Sequence, residues 1–311
     1  MAEHIPVLVG AVLEAFARLR HDAVIVDGTV GMGGHAQAIL QRFAGARVVG
    51  LDRDEAALSR AVECLRGFGE RAVVVHERFS QWRTACAKLG LECVDALLLD
   101  LGVSSLQLNL PQRGFSFRAG GPLDMRMNPS TGETALEFLA DKTPESLAQV
   151  LRDYGEERLA WQIAKAIIRA RDEGRLTDTA ELAAICRRVY PRGQQRIDPA
   201  TRTFQALRIA VNDELGELER ALAVVPEFLA KPGVVCVISF HSLEDRIVKR
   251  CFAAWERDGF GRNLKKKPVI ADDSEAAENP RARSAKLRSF AWGERIEKSM
   301  ERKSKHHRET Q

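Results

Sequence analysis

The chain has no apolar run approaching the roughly 20 residues that cross a bilayer as a helix, so a helical membrane span is excluded. Its start, Met1-Ala-Glu-His-Ile-Pro6, lacks the basic residues and apolar stretch of a secretory signal, and a cytoplasmic location is expected. The cysteines Cys64, Cys86, Cys93, Cys186, Cys236 and Cys251 form no C-x-x-C pair. That spacing argues against a zinc centre and against a disulfide framework, and no metal is expected. A net charge of only +4 is too small to name a polyanionic partner by itself. Internal repeats are absent.

What is present is a chain of 311 residues, 45% hydrophobic and 29% charged, long enough for one large core and a second, smaller unit. Val24–Asp27, Arg47–Asp52, Ala72–His76 and Asp95–Asp100 are short, nearly continuous apolar runs of the kind found in a sheet covered on both faces. Helical stretches such as 55–68 separate them, which predicts right-handed β-α-β units and a parallel sheet. From Pro111 to Glu133 the sequence is rich in Gly, Pro and Arg and reads as a long ordered loop. Only helical signals follow: 137–140, 144–154, 157–173 and 179–189. One further helix is expected from about Arg202 to Ala230, with Phe204, Leu207, Val211, Leu215, Leu218 and Leu222 on one face and Pro232-Gly233 as its stop. Val234–Phe240 is another buried strand, and Ser242-Leu-Glu-Asp245 resembles a capping box opening a helix to about Trp255. The expectation is therefore an α/β sheet domain in two pieces, 1–110 and 212–311, around an inserted all-helical domain at 111–211. The tail from Gly293 onward is polar and is expected to fray.

Asp27-Gly-Thr-Val-Gly31-Met-Gly33-Gly34-His35 lies at a strand-to-helix turn, where glycines let a ligand approach the backbone closely. The spacing is not the G-x-G-x-x-G of dinucleotide folds. An Asp four residues before the first of these glycines suits a cofactor that carries an amino-acid ammonium rather than a pyrophosphate. Asp52 ends the second strand, where a carboxylate can accept both ribose hydroxyls; Asp54 is better placed to cap the following helix. Phe79 follows the third strand, placed to pack on an adenine or to fill the core. Asp100 ends the fourth. Together these strand ends narrow the cofactor to S-adenosylmethionine. Positive charge is also clustered. Arg187, Arg188, Arg192, Arg196, Arg202 and Arg208 face a single acid, Asp198, within their stretch, and further basic groups occur at 262–267 and 281–288. Such a patch is either a phosphate-binding face or a solvated basic surface.

Several long blocks resemble one known family. They are Asp27–His35, Asp100-Leu-Gly-Val-Ser-Ser-Leu-Gln107-Leu, Arg113-Gly-Phe-Ser-Phe117 and Pro122-Leu-Asp-Met-Arg-Met127. Thr201–Ile209 with Val211-Asn212, Ile238–Lys249 and Asn279–Ser284 complete the set. In this order they are similar to the ribosomal RNA small subunit methyltransferase H family, which methylates the exocyclic N4 of a cytosine in 16S rRNA. The resemblance implies a Rossmann-like class I methyltransferase sheet and an enzyme dependent on S-adenosyl-L-methionine. Its cofactor pocket would be lined by Gly33, Gly34, His35, Asp52, Phe79, Asp100 and Gln107. It also implies 16S rRNA or the small ribosomal subunit as partner; a homodimer is left open. Asn109 and Asn128 stand where the family pattern usually has Asp.

A cytosine amino nitrogen is a weak nucleophile, because its lone pair is conjugated into the ring. A hydrogen-bond acceptor on its N–H would favour attack and take the proton. Asp100, or a carbonyl between Leu101 and Ser104, is the expected acceptor. Arg113, Phe115, Arg126, Arg192, Arg196, Arg202 and His241 are the expected substrate contacts. For the aromatic and thioether side chains of the long loop, the choice is between stacking on a flipped base and anchoring the loop to the core. His241 could touch substrate or orient the helix that follows it. Two other readings are a methyltransferase acting on another nucleic acid or a protein, and a non-catalytic ribosome assembly factor.

Overall fold

The computed structural model describes residues 6–191, 193 and 197–294. Helix α1 (Val9–Phe16) leads into β1 (Val24–Asp27), α2 (Gly34–Arg42), β2 (Arg47–Asp52), α3 (Glu55–Leu65), β3 (Ala72–His76), α4 (Trp82–Lys88) and β4 (Val94–Asp100). A short α5 (Ser105–Asn109) precedes the long loop. Five helices then follow: α6 (Ala135–Ala140), α7 (Pro144–Gly155), α8 (Ala160–Asp172), α9 (Thr179–Val189) and α10 (Ala200–Asn212). The chain returns to the sheet through α11 (Glu214–Ala223), α12 (Val225–Phe228), β5 (Leu229–Ser239) and α13 (Ser242–Arg257). It ends with β6 (Gly261–Asn263), β7 (Val269–Ile270), α14 (Asp273–Glu278) and β8 (Lys286–Trp292).

The sheet has the order β3-β2-β1-β4-β5-β8-β6, with β7 also on β8. Strands β1 to β5 pair in parallel, whereas β8 runs antiparallel to β5 and β6. This is the Rossmann-like α/β sheet expected. Alternate residues of each strand feed two cores. Ile25, Ala96 and Leu98 pack with α1 and α2 on one face. Val24, Val26, Leu97 and Leu99 pack with Trp82, Leu218 and Phe252 on the other. Both faces are covered, which is why the strands read as unbroken apolar runs. Because β1 lies between β2 and β4, the connections leave it toward opposite edges, and a crevice opens beyond the carboxyl ends of these strands.

A third core, contained within residues 115–207, is built from α6 to α10 together with Phe115, Leu123, Met125 and Met127 of the long loop. Thr134, Thr143 and Asp178 cap α6, α7 and α9 through their side chains, so the starts of three helices are locally encoded.

Three details differ from the expectations. The helix foreseen over 202–230 is broken at Asp213, which sits in the left-handed region (φ 49°, ψ 41°). Phe204 and Leu207 belong to the helical core, whereas Leu218 and Leu222 belong to the sheet core. A one-residue break redirects the chain between two cores while barely disturbing the apolar spacing. Pro232-Gly233 lies inside β5, where the pairing with β4 shifts register between Val94 and Ala96, and not at a helix end. The residue before α13 is likewise His241, not Ser242. Glu244 provides the cap by accepting from the Phe240 N–H at 2.8 Å and the His241 N–H at 3.3 Å.

Candidate active site

The turn after β1 is held to its neighbours by main-chain bonds: Gly28 N–H to the Leu98 carbonyl (2.9 Å) and Val30 N–H to the Leu51 carbonyl (2.8 Å). A Cβ at Gly28 would stand 2.6 Å from Leu99 Cδ2 and 3.1 Å from Phe79 Cβ, so any larger residue there would push these side chains aside. The Gly31 N–H donates to Asp52 Oδ2 (3.0 Å) and the Asp54 N–H to Asp52 Oδ1 (2.9 Å). Asp54 caps α3 by accepting from Ala56 N–H, the job expected of it. Burial raises the Asp52 carboxyl above its ordinary value, against those two N–H donors.

A cavity of about 250 Å³ lies over this turn. Gly34, His35, Asp52, Phe79, Asp100 and Gln107 all line it. Gly33 does not: it takes a left-handed conformation (φ 92°), and a Cβ there would lie 3.3 Å from Cys64 on α3, so it shapes the turn and the helix packing. Gln107 lines the cavity with both ends of its amide already engaged. Its Oε1 accepts from Ser104 N–H (3.0 Å), and its Nε2 donates to Asp54 Oδ2 (2.9 Å).

Two buried carboxyls near the turn have unused oxygens. Asp27 Oδ2 and Asp100 Oδ1 have no hydrogen-bond partner, and such groups are costly to bury unless something meets them. Burial, and for Asp100 also the nearby Glu244 charge, pushes both carboxyls up to about 7. His35 has its own pKa lowered by burial. Its Nε2 is 2.9 Å from the Val7 carbonyl and therefore carries the proton, leaving Nδ1 3.6 Å from Asp100 Oδ2.

The cavity is also lined by Arg53, Glu214, Phe240, Glu244 and Arg281, which the sequence does not mark as a site, and by Arg208, expected among the phosphate-binding arginines but mostly buried on Glu214. Arg208 grips Glu214 with two bonds of 2.7 and 2.9 Å. Burial works against ionisation of Glu244, but His241, Arg208 and the Phe240 N–H outweigh it and hold this carboxyl below its ordinary value. His241 Nε2 is 3.0 Å from Glu244 Oε1. Glu214, His241 and Glu244 offer nitrogen and oxygen atoms within 4.8 Å of one another. With Arg208 on both oxygens of Glu214, this is an ion-paired network. The segment Ser242–Asp245 resembles a capping box in sequence, and the same Glu244 that caps α13 also faces the cavity.

The expected substrate residues divide. Arg113 is nearly buried and points inward, donating to Asp54 Oδ2 (2.7 Å) and to the Arg126 and Met127 carbonyls (3.1 and 2.9 Å). Phe115 is in the helical core and Met125 is fully buried there; Met127 belongs to the same core and also reaches the cavity. Anchoring is thus the role seen for these loop side chains. Arg126 pairs with Asp124 through two bonds of 2.8 Å. Arg202 donates to the Glu156 carbonyl (2.8 Å) at the surface, beside the pair of Arg246 with Glu156. Arg187 and Arg188 are exposed and paired with Asp198 and Glu181. Arg192 and Arg196 lie outside the described residues. His241 is mostly buried against Glu244 and does not line the cavity itself.

Comparison with known proteins places the chain. The family model described as the MraW methylase family matches residues 1–292. A "Ribosomal RNA small subunit methyltransferase H" of Sorangium cellulosum is 51% identical over 291 residues, covering 92% of this chain and 90% of that protein. Proteins of the same name from Nitratidesulfovibrio vulgaris and Heliobacterium modesticaldum are each 48% identical. They cover 93% and 92% of this chain and 95% and 97% of their own lengths. No helix among the described residues is long and apolar enough to cross a membrane.

Proposed function

The chain belongs to the MraW methylase family, and from that premise we propose that it is a methyltransferase acting on the exocyclic N4 of a cytosine in 16S rRNA, in the decoding region of the small subunit. The observation that carries this reading is the cavity at the strand ends. One half is fitted to a nucleoside-type methyl donor, and the other is lined with ion-paired polar groups. S-adenosylmethionine fits the cavity on the strength of the orphaned Asp100 oxygen in the cavity wall, with that of Asp27 buried behind it, and of a glycine turn that leaves the backbone bare. When bound, it supplies an electrophilic methyl group on a sulfonium.

The chain's own residues then have separable tasks. Asp52, already held by two N–H donors, offers its remaining lone pairs to ribose hydroxyls. Phe79 packs against the adenine. Gly34, His35 and Gln107 shape the walls, and Asp27 or Asp100 balances the donor's ammonium. Gly33 acts through the conformation of the turn. Holding the donor and the flipped base in one dry cavity lets positioning supply much of the rate, up to roughly 7–11 kcal/mol in well-oriented systems. The segment 111–211 serves as the RNA-recognition domain, with Arg187, Arg188, Arg192, Arg196 and Arg202 meeting rRNA phosphates. The enzyme works in the cytoplasm on 16S rRNA or the assembled small subunit.

Mass spectrometry of 16S rRNA from cells lacking the protein tests the reading. One cytosine should lose one methyl group, and the purified protein should restore it. An unchanged rRNA methylation pattern refutes it, and methylation of DNA or protein instead would shift the acceptor. A protein that binds no S-adenosylmethionine in a titration would be an assembly factor without catalysis.

A further inference from the structure

Two carboxyls that line the cavity are held differently. Asp100 lies on the donor side: its N–H reaches Thr29 Oγ1 (2.6 Å) and its carboxyl faces His35. Burial and the neighbouring Glu244 charge raise its carboxyl to about 7. Near it stands Glu244, 2% exposed. One of its oxygens is fixed by the Phe240 and His241 N–H groups. The other lies beside His241 Nε2. We propose that Glu244, and not Asp100, is the catalytic residue that binds the exocyclic amino group of the acceptor base and receives its proton.

This rests on the cytosine reading above and assigns its missing acceptor. The geometry meets three requirements. The carboxylate lines the cavity. Its orientation is set by main-chain donors, so no reorganisation is needed at the moment of transfer. Its charge is supported by Arg208 and His241, while Asp100 and Glu214 are the acidic groups on the other sides. An N–H···carboxylate bond raises electron density on an amino nitrogen whose lone pair is otherwise lost to the ring. As the nitrogen pair forms the bond to the methyl carbon, the carbon–sulfur bond breaks with its electrons remaining on sulfur. The displaced N–H proton passes to Glu244. The same carboxylate would repel the O4 of a uracil, so Glu244 also selects the base: a site built to hydrogen-bond an amino group discriminates strongly against a base lacking it.

The test uses the full-length protein. Wild-type methylation of small subunits or 16S rRNA establishes the acceptor; if no cytosine N4 is methylated, the functional reading fails and this inference fails with it. Glu244→Gln keeps an oxygen for the Phe240 and His241 N–H groups but removes a buried charge beside Arg208 and His241, so the melting temperature should fall while S-adenosylmethionine affinity is unchanged. Its kcat should fall by about 100-fold or more, and Glu244→Asp should recover part of the loss. Saturation-transfer NMR gives a readout independent of turnover: the wild-type protein should prefer cytidine to uridine, and Glu244→Gln should lose that preference. A kcat decrease below about tenfold, a loss matched by weaker cofactor binding, or an absent or unaltered cytidine preference overturns the assignment.

Discussion

Replacing Arg113 by Ala tests whether this side chain is a tether. Its guanidinium meets Asp54 at 2.7 Å, with side-chain exposures of 11% and 1%, so the carboxylate it leaves behind has no access to water. Removing one partner of a buried pair costs about 3–5 kcal/mol, most of it from the stranded charge. Asp54 keeps the Ala56 N–H and Gln107 Nε2 as partners, which favours the lower end. Two carbonyls of the long loop, at Arg126 and Met127, lose a donor at the same time. We expect a loss of roughly 3 kcal/mol, or about 5 °C in melting temperature for a chain of this size. Urea unfolding of Arg113→Ala and of Asp54→Asn/Arg113→Ala measures it. The double variant strands no charge, and its Asn can still cap α3, so it should regain at least half of the loss. Cofactor affinity should fall and recover in parallel, because the Asp54 N–H is one of the two donors that orient Asp52. A single variant within about 1 kcal/mol of wild type, below the cost of a stranded charge, or a double variant no more stable than the single, would refute the buried-tether account.

Three further outcomes follow from the same geometry. Asp52→Ala should weaken S-adenosylmethionine binding by about 10- to 150-fold, the worth of hydrogen bonds to a charged group; calorimetry showing an unchanged Kd would remove Asp52 from the ribose role. Asp27 has its carboxyl raised from 3.8 to about 7 by burial. The folded state therefore keeps a proton that the unfolded chain releases, a contribution to stability complete below about 4 and lost as pH rises toward 7. Asp27→Asn should thus raise the melting temperature relative to wild type at pH 8 more than at pH 4, and an equal gap at both pH values contradicts this. Finally, Arg187→Glu/Arg188→Glu should weaken rRNA binding and reduce its salt slope by about 0.7 for each phosphate no longer neutralised, with cofactor affinity intact. Unchanged RNA affinity would free these arginines from that role.

Sequence alone determined the framework. Strands β1, β2 and β3 fall where their apolar runs lie: β1 and β2 are covered on both faces and need nearly every residue apolar, whereas β3 is a partly exposed edge strand marked by its run of valines. The turn residues were legible for a similar reason: Gly28 and Gly31 answer to steric and conformational demands of the chain around them. Asp52 and Asp100 could be read because strand ends in a parallel sheet converge on one edge. Tertiary structure alone decided the rest. Arg113 looks like an RNA contact until Asp54, 59 positions earlier, is seen beneath it. The apolar spacing from Phe204 to Leu222 reads as one helix face because periodicity does not show which core each residue enters. Glu244 looks like a helix cap, which it is, and only the fold brings it, Arg208, Glu214 and Arg281 together over Asp100. A local pattern records what a residue does for its own segment. Charge pairing and cavity lining are set across distances that no window of sequence spans.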